Sequence, residues 1–157
     1  MRQQLRAQRA AIPKSVRRAA AVKAARSASR LLRNRRHVAV YFSHGSELDT
    51  GPLIQALARR NHRLYLPRLQ GGRMSFVPFS PGAKLRRNRF GIPEPVAAAR
   101  AARLDAIVLP LVGFGGAGRR LGQGGGFYDR ALARRRSFRI GFAFAAQEAA
   151  EIPAGEL

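Results

Sequence analysis

The sequence contains no cysteine, only 8 acidic residues among 157, and no long apolar run. The absence of cysteine excludes disulfide bonds and thiolate metal sites, and the three histidines, His37, His44 and His62, lack a ligand-like spacing. No apolar run approaches the roughly 20 residues of a membrane-spanning helix. The basic N-terminus has no apolar core or cleavage site, so it does not indicate a secretory signal. We therefore expect a cytoplasmic protein with no membrane partner; an arginine-rich transit peptide within the first 36 residues is the alternative.

Positive charge dominates what is present. Lysine and arginine number 30, the net charge is +22, and 27 of the basic residues are arginine. Such a charge favours anionic ligands and makes nucleic acid one class of partner to consider. The arginines are spread over the whole chain, however, and the abundant alanine beside them is typical of a GC-rich genome. We therefore predict no specific nucleic-acid partner, only weak non-specific binding at low salt.

The order of predicted elements indicates one α/β domain over residues 1–157. Pro13 separates two helices, over 1–12 and 14–33. The remaining predicted elements are strands at His37–Phe42, Arg63–Pro67, Met74–Phe79, Leu104–Leu111 and Phe138–Phe144, helices at Thr50–Arg60, Val96–Arg103 and Gly126–Arg135, and a long loop at Ser80–Pro95. Because Leu104–Leu111 is the most apolar strand, it is expected to be central. This pattern predicts an open, mostly parallel sheet flanked by helices, a Rossmann-like three-layer fold that binds ligands beyond the carboxyl ends of its strands.

A glycine-rich segment, Gly113–Arg130, joins the most apolar strand to a helix and contains eight glycines. Glycine lets backbone N–H groups turn towards an anion, and the following helix adds the positive end of its dipole. Arg119, Arg120 and Arg130 could contact phosphate oxygens, and Asp129 could bind Mg²⁺. The segment is neither a Walker A loop nor a clear Rossmann fingerprint. It predicts a phosphate site within Arg119–Arg130; the alternative is a flexible loop with ordinary surface contacts.

Three further segments each leave two interpretations open. In Ser43–Thr50, Glu47 is either a substrate contact or a structural acid, whereas Asp49 is expected to orient the helix entry beside Thr50 and His44 to be solvated. In Leu85–Pro95, the side chains of Phe90, Ile92 and Pro93 either belong to a solvated loop or cover an aromatic ligand, and Glu94 is held extended between two prolines. Near the N-terminus, Arg2, Arg6 and Arg9 lie on one helical face, which forms either a solvated basic surface or a phosphate clamp.

Taken together, these segments resemble the 5-formyltetrahydrofolate cyclo-ligase family, also called methenyltetrahydrofolate synthetases. The resemblance extends over nearly the whole chain, through RQQLRAQR, SELDT, LPR, LRRNRFGIPEP, LPLVGFGGAGRRLGQGGGFYDR and GFAFAAQ. Its most specific part is Arg120–Asp129. The resemblance implies an enzyme that uses ATP and Mg²⁺ to convert 5-formyltetrahydrofolate, with or without a polyglutamate tail, to 5,10-methenyltetrahydrofolate through a phosphorylated formyl group.

The resemblance also implies roles for individual residues, in a protein expected to act as a monomer. It assigns catalysis to Arg120, Gln123 and Tyr128, and Mg²⁺ binding to Asp129. It assigns ATP binding to Arg2, Gln3, Gln4, Leu5, Arg6, Arg120, Leu121, Gly122, Gln123, Gly124, Gly125, Gly126, Phe127 and Tyr128. It assigns substrate binding to Phe42, Glu47, Gln123, Gly124, Gly125, Gly126 and Phe127.

The sequence departs from the family pattern at three places. Arg2 stands where a lysine is usual, and Gly125 stands where some members carry a lysine. The family also continues beyond the position of Leu157 through a helix and a strand with a second acidic Mg²⁺ contact, so we expect this chain to lack both. Two alternatives to an active cyclo-ligase therefore remain: a truncated, inactive paralogue that binds folate or nucleotide, and a basic nucleic-acid-binding module.

Overall fold

A five-stranded sheet organises the molecule, which a computed structural model describes over residues 1–96, 99–101 and 103–153. The strands are β1 (His37–Ala39), β2 (Arg63–Gln70), β3 (Arg73–Phe79), β6 (Ala106–Leu109) and β9 (Phe138–Gly141), in the order β3-β2-β1-β6-β9. All neighbouring pairs are parallel except β2 and β3, which form a hairpin. This arrangement confirms the predicted open, mostly parallel sheet.

The central strand is β1, not the more apolar segment that was expected there. All four residues of β6 are buried, but β6 lies between β1 and β9. Its residues are apolar because both faces of the sheet are covered: Ala106 and Val108 join one core cluster, and Ile107 and Leu109 join the other. Burial on both faces requires an interior strand, and it does not fix which interior position the strand takes.

Helices cover the sheet on both faces. On one face lie α2 (Lys14–Leu31) and α3 (Gly51–Arg59), and on the other lies α4 (Phe127–Leu132). The buried stripe of α2 is formed by Ala21, Ala25 and Ala28, whereas Val16 and Leu31 are exposed. Small side chains at this three- and four-residue spacing let the helix approach the sheet closely. No helix among the described residues has the length and apolar character needed to span a membrane.

Two predicted loops contain short strands. Strands β4 (Leu85–Arg87) and β5 (Pro93–Pro95) form an antiparallel pair within the predicted 80–95 loop. In the glycine-rich segment, β7 (Gly113–Phe114) pairs with β8 (Arg120–Leu121) around a single 3₁₀ turn at Gly116–Gly118. The segment is therefore a built hairpin and not an unstructured loop.

The helix predicted at Val96–Arg103 is not present in the described part of that range. Val96, residues 99–101 and Arg103 are not helical, and residues 97, 98 and 102 lie outside the described residues. The backbone N–H of Ala101 instead donates a hydrogen bond to the carbonyl of Phe76, over 2.7 Å. This contact holds the segment against the sheet edge at β3, where a helix would have used that N–H internally.

Candidate active site

A cavity of about 580 Å³ lies at the carboxyl edge of the sheet. Its lining comes from the loop after β1, the glycine-rich segment, strands β2 and β3, and the β4–β5 pair. The predicted site residues that line it are Arg2, Phe42, Glu47, Arg120, Gly122, Gln123, Gly124, Gly125, Gly126, Phe127, Tyr128 and Asp129. The cavity therefore brings together segments that are up to 127 positions apart in the sequence.

The first helix, α1 (Arg2–Ala10), packs on the glycine-rich segment. The Nε of Arg2 donates to the carbonyl of Gly122 over 3.0 Å, and Nη2 of Arg6 donates to Oε1 of Gln123 over 2.9 Å. Gly113 makes this approach possible, because a Cβ built there would lie 2.6 Å from Cδ1 of Leu5. Arg9 is buried and donates to Oγ of Ser46 over 3.0 Å. The N-terminal arginines therefore tie the helix to the site, and the solvated basic surface is wrong for Arg9.

Five residues of the predicted nucleotide set do not line the cavity, namely Gln3, Gln4, Leu5, Arg6 and Leu121. Gln3 and Gln4 are exposed on α1. Leu5 and Leu121 are buried in a small apolar cluster with Val112. These two leucines support the backbone of α1 and of the glycine-rich segment and do not line the cavity.

Asp129 and Arg120 form an ion pair at the floor of the cavity. The arginine side chain is 15% exposed and the carboxylate 35% exposed, so the aspartate remains the more accessible partner. Within the described residues, no group of three or more His, Cys, Asp or Glu side chains could hold a metal ion. A single accessible carboxylate suits Mg²⁺, which commonly binds through one or two carboxylates together with phosphate oxygens and water. The donor set present therefore fits Mg²⁺ only in company with a phosphorylated ligand.

Helix α4 begins directly at the cavity, after a glycine whose backbone conformation few other residues would tolerate. Gly126 precedes α4 with a φ of +68°, in the left-handed region. A Cβ at this position would also lie 2.7 Å from Nη1 of Arg130. Glycine at 126 thus lets the chain turn sharply from the hairpin into α4, which places Phe127, Tyr128 and Asp129 on the cavity wall.

Glu47 connects the loop after β1 to the glycine-rich segment. Its Oε2 accepts a hydrogen bond from the backbone N–H of His44 over 2.9 Å, and its Oε1 accepts from Nε2 of Gln123 over 3.2 Å. Burial raises the pKa of the Glu47 carboxyl above its ordinary value, against the opposing effects of the His44 hydrogen bond and of Arg9. Glu47 is therefore both a structural link and an acid facing the cavity, so the two interpretations of this residue are compatible.

Beside Glu47, Asp49 orients the start of α3 as predicted, whereas the side chain of Thr50 bonds back to the preceding loop. Oδ1 of Asp49 accepts from the backbone N–H of Gly51 over 2.9 Å. The Thr50 hydroxyl makes no capping hydrogen bond to α3; it donates to the carbonyl of Tyr41 over 2.6 Å. Thr50 thus closes the loop that carries Glu47, and Asp49 orients the start of α3.

An aromatic wall closes the cavity on the side of β4 and β5. The Asn88 side chain organises the turn: its Oδ1 accepts from the N–H groups of Phe90 and Ile92, over 2.9 and 3.1 Å. Oε2 of Glu94 accepts from Nδ2 of Asn88 over 2.9 Å and from the N–H of Leu69 in β2 over 2.8 Å. These bonds hold Phe90 edge-on to the ring of Phe127, with 6.3 Å between ring centroids.

Four residues of the 85–95 segment, Phe90, Ile92, Pro93 and Glu94, line the cavity; that they cover an aromatic ligand stays a prediction. Sequence reasoning missed Asn88, Tyr41 and the β2–β3 residues Leu66, Pro67, Leu69 and Met74, which also line it. The available signal was the order Asn, aromatic, Gly, which is typical of a turn held by an Asn side chain. The burial of Tyr41 and Tyr128, which raises the pKa of both phenols, could not be read from the sequence.

Two of the arginines proposed for phosphate contact lie elsewhere. Arg119 is exposed and does not line the cavity. Arg130 does not line the cavity; its Cζ lies over the ring of Phe127, 5.1 Å from the ring centroid. Of the three, only Arg120, the first residue of strand β8, lines the cavity.

The sheet, the glycine-rich hairpin and the cavity at the carboxyl edge define an α/β protein of enzyme type. The chain belongs to the 5-formyltetrahydrofolate cyclo-ligase family, whose model matches residues 1–157. It is 40% identical to the 5-formyltetrahydrofolate cyclo-ligase of Escherichia coli K12 over 129 residues, which are 76% of this chain and 71% of that protein. It is 37% identical to the protein of the same name from Haemophilus influenzae over 131 residues, 77% of this chain and 70% of the relative.

Solved structures agree with this family. The 5,10-methenyltetrahydrofolate synthetase of Aquifex aeolicus superimposes with a TM-score of 0.86 at 30% identity, covering 97% of this chain and 80% of the other. A 5,10-methenyltetrahydrofolate synthetase from Mycoplasma pneumoniae shares the fold, with a TM-score of 0.75 at 21% identity over 99% of this chain and 90% of the other. The chain is thus an enzyme of the cyclo-ligase family.

Proposed function

We propose that this enzyme uses ATP and Mg²⁺ to cyclise 5-formyltetrahydrofolate to 5,10-methenyltetrahydrofolate, with release of ADP and phosphate. Family membership supports the overall reaction. The observation that carries the use of a nucleotide is the cavity itself, in which the glycine-rich hairpin, Arg120 and Asp129 lie opposite an aromatic wall. One half of this cavity suits phosphates, and the other suits a flat heterocycle.

The chemistry requires activation of an amide oxygen, which is a poor leaving group. In the first step the formyl oxygen attacks the γ-phosphorus of ATP, and the bond to the leaving ADP breaks. In the second step N10 forms a bond to the formyl carbon, the C–O bond breaks, and phosphate departs with the former formyl oxygen. The proton of N10 is released. Such a reaction depends on positioning and charge stabilisation more than on a protein nucleophile.

The phosphate half of the cavity supplies positive charge and backbone donors. We assign Arg120 to the transferred phosphoryl group, because it is the one arginine of the 119–120 pair that faces the cavity. Gln123 lies between both halves, since Arg6 and Glu47 hold its side chain from either side. Asp129 would hold Mg²⁺ together with phosphate oxygens. When bound, Mg²⁺ offsets the negative charge that gathers on the phosphates.

The folate half of the cavity supplies apolar walls and one acid. Phe42 and Phe90 offer ring surface, and Glu47 offers a carboxylate to the N–H groups of a pterin ring. The Tyr128 phenol keeps its proton at neutral pH because burial raises its pKa. It can therefore donate a hydrogen bond to an oxygen of the substrate but does not act as a base.

The test is to mix the purified chain with 5-formyltetrahydrofolate, ATP and Mg²⁺ and to follow the absorbance of the conjugated methenyl product. The proposal expects a rise that requires both ATP and Mg²⁺. Folded protein that binds ATP without a rise would indicate the inactive folate- or nucleotide-binding paralogue. Folded protein that neither turns over nor binds ATP would overturn the assignment of the glycine-rich hairpin to phosphates.

We further propose that residues 1–157 act as a single domain and a cytoplasmic monomer. The two larger core clusters pack on opposite faces of the same sheet, which supports a single domain. Light scattering of the purified chain at working concentration tests the monomer, and a dimer mass would overturn it.

A further inference from the structure

A second concave surface lies at the opposite, amino edge of the sheet. We call it the arginine basin, an opening of about 980 Å³ formed by the segments that precede β1, β6 and β9 and by the end of α4. Its lining is Asn34, Arg35, Arg36, Arg103, Leu104, Asp105, Arg130, Ala131, Ala133, Arg134, Arg135, Arg136 and Ser137. Among the described residues, this lining shares no member with that of the active-site cavity. The cyclo-ligase reaction therefore leaves the basin without a role.

Arginine makes up a larger fraction of the basin lining than of the whole chain. Seven of the 13 lining residues are arginine, whereas the whole chain has 27 among 157. The fold thus gathers on one surface residues that the sequence spreads over three segments. A generally arginine-rich surface does not account for a threefold enrichment at one concavity.

The basin contains one acid, and its carboxylate is already occupied. Oδ2 of Asp105 accepts from the backbone N–H groups of Arg36 and His37, over 3.1 and 2.8 Å. Oδ1 pairs with Nε of Arg103 over 3.0 Å. The side chains of Arg36, Arg134 and Arg136 are exposed and make no hydrogen bond or ion pair with any described residue. Their guanidinium groups are therefore ready to meet an external anion.

An aromatic ring lies at the rim of the basin. Phe138, the first residue of edge strand β9, is 37% exposed. The guanidinium of Arg35 lies over this ring, with 4.0 Å between its Cζ and the ring centroid. Arginine-rich grooves that carry exposed aromatic rings are typical of surfaces that bind single-stranded nucleic acid, because bases stack on the rings while arginines meet the phosphates.

We propose that the arginine basin binds the phosphate backbone of single-stranded nucleic acid without base preference. The planar guanidinium fork matches two phosphate oxygens, and the three segments present it from three sides. An acidic polypeptide would meet the same charges but has no base to stack beside Phe138. This binding is separate from the cyclo-ligase function and does not rest on it.

The test compares two charge reversals by fluorescence anisotropy with a labelled 20-nucleotide oligouridine. The double variant Arg134→Glu/Arg136→Glu changes the basin, and Arg18→Glu/Arg26→Glu makes the same charge change on exposed positions of α2. We expect the basin variant to bind at least tenfold more weakly than the parent and the control to bind less than threefold more weakly. The slope of log K against log salt should also fall by about 1.4 for two lost phosphate contacts.

Three outcomes would overturn the proposal. Equal weakening by both double variants would indicate general attraction to a basic protein. Unchanged affinity of Phe138→Leu for the oligouridine would show that no base stacks on Phe138. The reason for preferring nucleic acid to an acidic polypeptide would then be lost. Competition by poly-glutamate as strong as that by unlabelled oligouridine of equal charge would assign the basin to acidic polypeptides. Circular dichroism melting of each variant ensures that the comparison is made on folded protein, and cyclo-ligase turnover should be the same in the parent and the basin variant.

Discussion

The two edges of the sheet use the same residue type in opposite ways. At the carboxyl edge, Arg6, Arg9 and Arg120 each bond to an acceptor of the protein itself. At the amino edge, the side chains of Arg36, Arg134 and Arg136 are exposed and bond to no described residue. The difference shows that the acceptors supplied by the fold, and not the abundance of arginine, decide whether an arginine serves the structure or a ligand.

The acidic residues Glu47 and Asp105, one at each edge of the sheet, also differ in their environments. Burial raises the pKa of Glu47, whereas the hydrogen bond from the backbone of His37, with Arg103 beside it, lowers the pKa of Asp105. The Glu47 carboxylate is therefore disfavoured by its burial at the cavity, whereas the Asp105 carboxylate is stabilised by hydrogen bonds that link β1 to the start of β6. The experiments below test this contrast in order of decreasing effect.

The largest effect is expected from the paired variants Asp129→Ala and Asp105→Ala. Asp129→Ala should lower kcat/KM at least about 100-fold, because it removes the proposed Mg²⁺ ligand and leaves Arg120 without its partner. Asp105→Ala should leave kcat/KM of the folded enzyme unchanged and lower the free energy of unfolding by roughly 1–3 kcal/mol, since two backbone N–H groups lose their acceptor. Steady-state kinetics and urea denaturation separate the two. An equal loss of turnover in both variants would erase the functional distinction between the edges.

A smaller effect is expected from Glu94→Ala, which loosens the aromatic wall. The N–H of Leu69 and the amide of Asn88 both lose their acceptor, so the turn that carries Phe90 is less well held. A loss of about 1 kcal/mol in positioning corresponds to a rise of about fivefold in KM for 5-formyltetrahydrofolate, with kcat nearly unchanged.

The matched control for Glu94→Ala is Glu94→Gln, whose amide oxygen can still accept both hydrogen bonds. It should retain the parent KM. If both variants raise KM equally, the charge of Glu94 acts on the substrate directly and the positioning role is wrong.

The pH dependence of stability should differ in sign between the two edges. Because the folded pKa of Glu47 is raised, its contribution is fully present below the ordinary glutamate pKa of about 4.3 and is lost as pH rises through the folded pKa. Glu47→Gln should therefore gain stability relative to the parent as pH rises. Asp105 has a lowered pKa, so the stability it adds is present above about pH 3.9 and is lost as pH falls through its folded pKa. Urea midpoints measured from pH 3 to 8 check both trends, and a shared trend would contradict the burial argument for Glu47.

The smallest effect is expected from Arg6→Ala. Its bonds to Gln123 are exposed, and exposed contacts of this kind contribute about 0.5–1 kcal/mol. We expect KM for ATP to rise about two- to fivefold, and Arg18→Ala on α2 to leave it unchanged. A loss as large as that of Asp129→Ala would mean that Arg6 contacts the nucleotide itself.

The sequence predicted those features that depend on neighbouring residues. The order of elements follows from apolar patterns and from Pro13, and the glycine-rich segment marks one wall of the cavity. The entry of α3 follows from Asp49, whose hydrogen bond to the backbone N–H of Gly51 is local. The spacing of Arg2, Arg6 and Arg9 also showed correctly that they share a face.

Features that join distant segments could not be predicted in the same way. The partners of Arg2 and Arg6 lie more than 100 residues away, and the position of β1 at the centre of the sheet depends on strand order rather than on composition. Strand β5 was hidden because Pro93 and Pro95 cannot donate hydrogen bonds and so resemble a loop. The arginine basin combines segments that are scattered in the sequence, which is why the charge seemed evenly spread.

The docking of α1 has a consequence for the order in which the enzyme matures on the ribosome. Arg2 precedes its acceptor, the carbonyl of Gly122, by 120 positions in the sequence. At about 5–20 residues per second, synthesis reaches that acceptor roughly 6–24 s later. During this interval helix α1 lacks the glycine-rich segment on which it packs. The part of the cavity that combines α1 with the glycine-rich segment therefore forms only after both segments have been synthesised, although α1 leaves the exit tunnel well before its partner.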